Sequence, residues 1–173
     1  MFELSTTKDE FVSTYKLALD AADVDRNGLK VGRWAVGLLR CYVDCIPNGC
    51  MAFTCPGVAV AQTVARLGLM RYGLALQLYV VLCGLALETI LLDSALLTLL
   101  CMLGAMAAAM TIARLRTKMR ALFEIPGNQL QDMATVFLCG PCAIAQMASH
   151  AEAYEAGTCS FRARSTLDGY VRL

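Results

Sequence analysis

Six of the nine cysteines in this 173-residue chain fall where neighbouring thiols could act together. Cys41 and Cys45 are four residues apart, which places both on one face of a helix. Cys50 and Cys55 follow after the Pro47-Asn48-Gly49 turn. Cys139 and Cys142 form a C-x2-C pair. Thiolates are soft and are readily deprotonated by a metal, so two such pairs brought together make a tetrahedral site for zinc or another soft divalent ion. Metal ligation by Cys41, Cys45, Cys50, Cys55, Cys139 and Cys142 is therefore one expectation. Two alternatives stand beside it: packing as small buried hydrophobes, and acylation beside a membrane. Cys83 and Cys101 lie in apolar runs and are read as packing residues.

Two eight-residue strings repeat a frame. Cys55-Pro-Gly-Val-Ala-Val-Ala-Gln62 and Cys139-Gly-Pro-Cys-Ala-Ile-Ala-Gln146 each open on cysteine, turn through proline and glycine, and close on glutamine. Each is too short to span a bilayer and is broken by Pro and Gly, which suits a re-entrant or interfacial helix. Gln62 and Gln146 then lie among alanines, where an amide needs a partner. The expectation is that they bond to each other.

Positioning these strings falls to the elements between them. The chain is 58% hydrophobic and 17% charged, against roughly 45–50% and about 25% in soluble domains. Residues 72–92 and 94–113 each supply about 20 mostly apolar residues, enough for a transmembrane helix. Asp93-Ser94 with Glu88 makes the polar turn between them. Arg66 and Arg71 precede this hairpin, and Arg114, Arg116, Lys118 and Arg120 follow it. By the positive-inside rule both ends face the cytosol and Asp93 faces outward. The hairpin thus returns the chain to the side it left and places the two strings together as pseudo-equivalent elements. Glu88 and Asp93 read either as interfacial charges that end the two helices or as the mouth of an ion path through an oligomer, and Gln77 either lines that path or hydrogen-bonds a neighbouring helix. Gly104 with Ala108, and Ala105 with Ala109, are small-residue pairs that let helices approach closely, within the hairpin or between copies.

The flanks complete an expected three-part organisation. Residues 1–30 read as an amphipathic cytosolic helix, with Thr7 and Glu10 as a capping box and no signal-peptide pattern; Asp25 to Gly28 is a turn. Residues 31–157 form the cysteine-rich membrane domain, in which the stretch around Trp34 and Tyr42 reads as an approach to the bilayer. Residues 158–173 read as a mobile tail. His150, the single histidine, reads as marking a surface turn. No P-loop, G-x-S-x-G or dinucleotide fingerprint appears, so no enzyme is expected, and no basic patch suggests nucleic acid. The fold class is an all-α membrane protein: a helical hairpin flanked by two cysteine-bearing re-entrant or interfacial helices, plus the N-terminal helix.

Several motifs, in order, resemble the cysteine-rich placenta-specific-eight family, which includes cornifelin, plant cadmium-resistance proteins and cell-number regulators. Trp34, Gly37, Leu38, Cys41 and Asp44 resemble its W-x-x-G-L-x-x-C-x-x-D opening. Gly49-Cys50 through Cys55-Pro56-Gly57 resembles its CCxxxxCPC signature, with Gly49 and Gly57 where the signature has cysteine. Arg116 to Asn128 resembles R-x-K-x-R…I-P-G, and Asp132, Cys139, Cys142, Ala143 and Gln146 resemble its ending. The resemblance implies a plasma-membrane protein that handles divalent metal ions, by efflux or as part of a homo-oligomeric channel in the lipid bilayer; the basic flanks of the hairpin place both termini in the cytosol. Its alternative implication is a non-transporting scaffold or regulator of cell number.

Overall fold

The computed structural model describes residues 23–40, 45–155 and 157–168. The N-terminal amphipathic helix and Cys41 fall outside these residues, as does the side chain of Cys45. The described chain is helical: α1 (Cys50–Thr54), α2 (Pro56–Arg66), α3 (Tyr72–Leu92), α4 (Ala95–Leu122) and α5 (Gln129–His150). The Asp25–Gly28 turn is present, with Gly28 N–H donating to Asp25 O at 3.0 Å and Gly28 at φ 78°.

Helices α3 and α4 are the hairpin expected from hydropathy, and both are long and apolar enough to cross a membrane. The 21 residues of α3 rise about 31 Å, close to the thickness of a hydrocarbon core. None of its residues is buried by the rest of the protein. Leu78, Val81, Ile90, Leu96, Leu99 and Leu103 are all exposed. Asp93 ends α3 in the left-handed region at φ 42°, which Asp tolerates better than most residues. The expected second span stopped at residue 113, but α4 continues to Leu122. Hydropathy falls at Arg114 while Arg, Leu, Lys, Met and Ala keep their helix propensity; the chain stays helical until the Pro126-Gly127 segment. In this extension Ala113, Leu115, Arg116, Met119 and Arg120 become buried.

They are buried by a helical cap. Asn128 starts α5, its side chain accepting from Gln131 N–H at 2.7 Å. Asp132 meets Arg116 and Arg120, and Val136 clusters with Ala113 and Ala109, so the first half of α5 runs antiparallel to α4. At Cys139 the backbone leaves the helical region (φ −147°, ψ 70°). The second half doubles back and ends with His150 against Phe123. The other string does the same. Cys55 (φ −134°, ψ 59°) separates α1 from α2, with Gly57 against Tyr79 of α3. Both Cys…Gln strings are thus bends with nearly the same backbone break at their first cysteine, and the core between them holds Ala59, Val64, Leu67, Leu115, Met119, Phe123, Ile144 and Met147.

Trp34 is partly buried and packs on this core. The strap at residues 158–168 is tied to α2 by hydrogen bonds. Leu167 N–H donates to Arg66 O at 2.8 Å, Arg66 donates to Ser165 O, and Leu167 is buried.

Candidate functional site

The polar residues of the cap gather around the α4 extension. Arg116, Thr117 and Arg120 occupy successive positions of one helical face and converge on Asp132. The Asp132 carboxylate accepts from Arg120 Nε at 2.8 Å and Nη2 at 2.6 Å, and from Thr117 Oγ1 at 2.8 Å. Arg116 Nε lies 3.2 Å from Asp132 Oδ1, an ion-pair contact whose angle falls short of a hydrogen bond. All three charged groups are buried. Two guanidinium groups facing one carboxylate leave a surplus positive charge, and Trp34 faces it: Arg116 Cζ lies 4.4 Å from the centre of that ring, within cation–π range.

Trp34 also leads to His150. The imidazole is edge-on to Trp34 at 5.2 Å and to Phe123 at 4.4 Å, and its Nδ1 accepts from Ala35 N–H at 3.1 Å. His150 is 1% exposed, which overturns its reading as a surface residue: the helix ends there, but the segment from Trp34 and Phe123 cover it. Burial pushes its pKa down from 6.5 to about 4, helped by Lys30 and opposed by Asp25.

The two glutamines do not pair. Gln62 Nε2 donates to Ser160 O at 2.7 Å and Arg162 O at 3.1 Å, whereas Gln146 Nε2 donates to Val36 O at 2.8 Å. Each amide finds a non-helical backbone carbonyl, a stronger demand than another amide makes because that carbonyl would otherwise lack a partner. Gln62 ties down the C-terminal strap and Gln146 the Trp34 segment.

Four of the six candidate thiols, Cys50, Cys55, Cys139 and Cys142, fall among the described side chains. Cys50 is exposed and Cys55 half-buried, while Cys139 and Cys142 are joined to each other as a disulfide. Among the described residues no three Cys, His, Asp or Glu side chains converge to hold a metal, so the described donors do not fit a zinc site. Gln77 and Glu88 are exposed on α3 and Asp93 on the turn. Gln77 borders a shallow groove of about 440 Å³ with Gly73, Leu76, Val80 and Val81.

Sequence reasoning missed the Trp34–His150–Phe123 stack and the Tyr79 contact. It had matched Arg116, Arg120 and Asp132 to a motif without seeing that they meet; the i, i+4 spacing of two arginines at the end of an apolar helix, followed by one Asp in the next helix, is the signal that would have found this.

These residues fall within the part of the chain that known proteins share. The model of the PLAC8 family matches residues 34–150, from Trp34 to His150 and through both Cys…Gln strings. The chain belongs to the PLAC8 family. Cell number regulator 4 of Zea mays is 30% identical over 118 residues, covering 67% of this chain and 64% of that protein. The chain therefore spans a little under two thirds of that relative's length. No solved structure matches. Within the matched range, the buried Arg116, Arg120, Asp132 and Gln146 and the partly buried Trp34 join the cap to the second apolar helix.

Proposed function

We propose that this PLAC8 protein is an integral membrane regulator of cell number that acts as an interaction scaffold. In this reading α3 and α4 lie in the plasma membrane and the cap lies at its cytosolic face, with both bends at Cys55 and Cys139 seated in the interfacial layer. The observation that carries it is the use made of the buried polar groups around Asp132 and Gln146. The described thiols form no ligand set, while the buried polar groups hold the cap together instead of lining a path. The relative named as a cell number regulator supports the same reading, as does the basic character of the exposed Arg71, Arg114 and Lys118 at the cap end of the spans. Self-association fits the exposed Gln77: in hydrocarbon its amide needs a partner, and the groove beside Gly73 lets a second copy approach.

Divalent metal handling is the second reading. It is favoured by Cys50, the exposed first residue of α1, and the half-buried Cys55 that follows the helix. One experiment separates the two. Cells expressing the full chain, or the Cys50→Ser/Cys55→Ser variant, are counted and assayed for cadmium and zinc content. Regulation predicts a changed cell number for both proteins with metal content unaltered. A fall in cadmium content that requires the two thiols overturns it in favour of metal handling.

A further inference from the structure

The two bends differ at one informative position. Three residues after its break, the first string has Val58 and the second has Cys142; the two are buried to the same degree, 6% and 5% exposed. At the matching place an aliphatic side chain fills the core, so packing alone does not require a thiol at Cys142. What the cysteine adds is a bond to Cys139, across a sequence separation of three residues and a Cα–Cα distance of 5.4 Å.

The surroundings suit exchange at that bond. Cys139 is the non-helical residue of α5 and stands as the N-cap of the half-helix that runs on to His150. Gly140, Pro141 and Cys142 begin that half-helix, and the dipole at a helix start favours negative charge on sulfur. Access is unequal: Cys142 is buried, whereas Cys139 is half-buried beside the exposed Phe137 and Leu138. One sulfur is open to a nucleophile and the other is sheltered as the leaving group.

We propose that Cys139–Cys142 is a thiol–disulfide exchange site whose co-substrate is a small thiol of the glutathione type. A thiolate attacks Cys139 Sγ. The Cys139–Cys142 bond breaks, and its electron pair leaves on Cys142 Sγ, which takes a proton from water. The product is a mixed disulfide at Cys139. A second thiolate attacks the sulfur of the bound small thiol and releases Cys139 as thiolate, which is then protonated. Two small thiols are oxidised to one disulfide, and the protein disulfide is reduced to a dithiol with two electrons and two protons. The site is independent of whether the protein regulates cell number or handles metal.

The test uses the full chain in lipid nanodiscs, equilibrated without oxygen in mixtures of reduced and oxidised glutathione. The mixtures are quenched with acid, and the peptide holding both cysteines is quantified after alkylation. A single two-electron exchange moves the pair from one-tenth to nine-tenths reduced over an about 80-fold change in the ratio of squared reduced to oxidised glutathione. Cys142→Ser should trap glutathione on Cys139, and Cys139→Ser should trap roughly tenfold less on Cys142, as unequal access requires. A pair that stays fully reduced or fully oxidised across the range overturns the proposal, as does equal trapping on both variants. If either variant loses its helical circular dichroism, the wild-type titration decides by itself.

Discussion

Asp132 is a small side chain on which much of the cap depends. It accepts from Arg120 and Thr117 and faces Arg116, all with little solvent. Replacing a buried pair with apolar groups is often harmless, but removing one partner leaves charge uncompensated. Asp132→Ala leaves two guanidinium groups without their carboxylate and should cost about 3–5 kcal/mol, measured as a shift in denaturant unfolding in detergent micelles. His150 gives a second residue-level prediction. Its folded pKa of about 4 lies below the ordinary 6.5, so the unfolded chain binds more protons between those values. The contribution to stability is complete above pH 6.5 and is lost as pH falls toward 4, about 3 kcal/mol in all. Unfolding curves between pH 7.5 and 4 should show this loss, and His150→Gln should remove that part of the slope. Neither residue's surroundings could be read from its own position. Periodicity marks Asp132 as one acid in an apolar helix and His150 as a helix end, but the partners of both come from segments distant in sequence.

At the scale of elements, the bends were legible and their tie points were not. Pro and Gly after each cysteine signalled two breaks, and both occur with similar dihedral angles. The amide partners went astray because the strap at 158–168 carries few apolar residues and therefore leaves little trace in the pattern. Gly57 gives a clearer lesson. Compared with the family signature it is a missing cysteine; in the fold it is a place of close approach, where an added Cβ would lie 1.9 Å from Tyr79 Cγ. Gly57→Ala should therefore push α2 off α3 and lower the thermal unfolding midpoint by several degrees, the size expected for a loss of about 1–3 kcal/mol from overpacking. Adding Tyr79→Ala should make the glycine change nearly neutral in that background. If Gly57→Ala costs the same with or without the ring, the contact is not what the glycine serves.

At the scale of the whole molecule, the apolar hairpin was the most legible feature because its signal is compositional and continuous. Its far boundary was misplaced because hydropathy and helicity end at different residues of α4. Leu103 is exposed near the middle of the apolar half of that helix. Leu103→Arg should cost about 2.5–3.5 kcal/mol of insertion and reduce the carbonate-resistant fraction of the chain in vesicles, while a polar change at the exposed Lys118 should leave that fraction unchanged.

The 28 residues of α4 make a rod about 42 Å long, roughly 12 Å more than the hydrocarbon needs. That surplus packs against α5 and Trp34, and the helix runs into it without a break. In the proposed membrane setting, tilting α4 is one way to meet a bilayer of another thickness. The cap, packed on the same rod, would turn with it, so membrane thickness would bear on the angle at which the cap meets whatever approaches from the water.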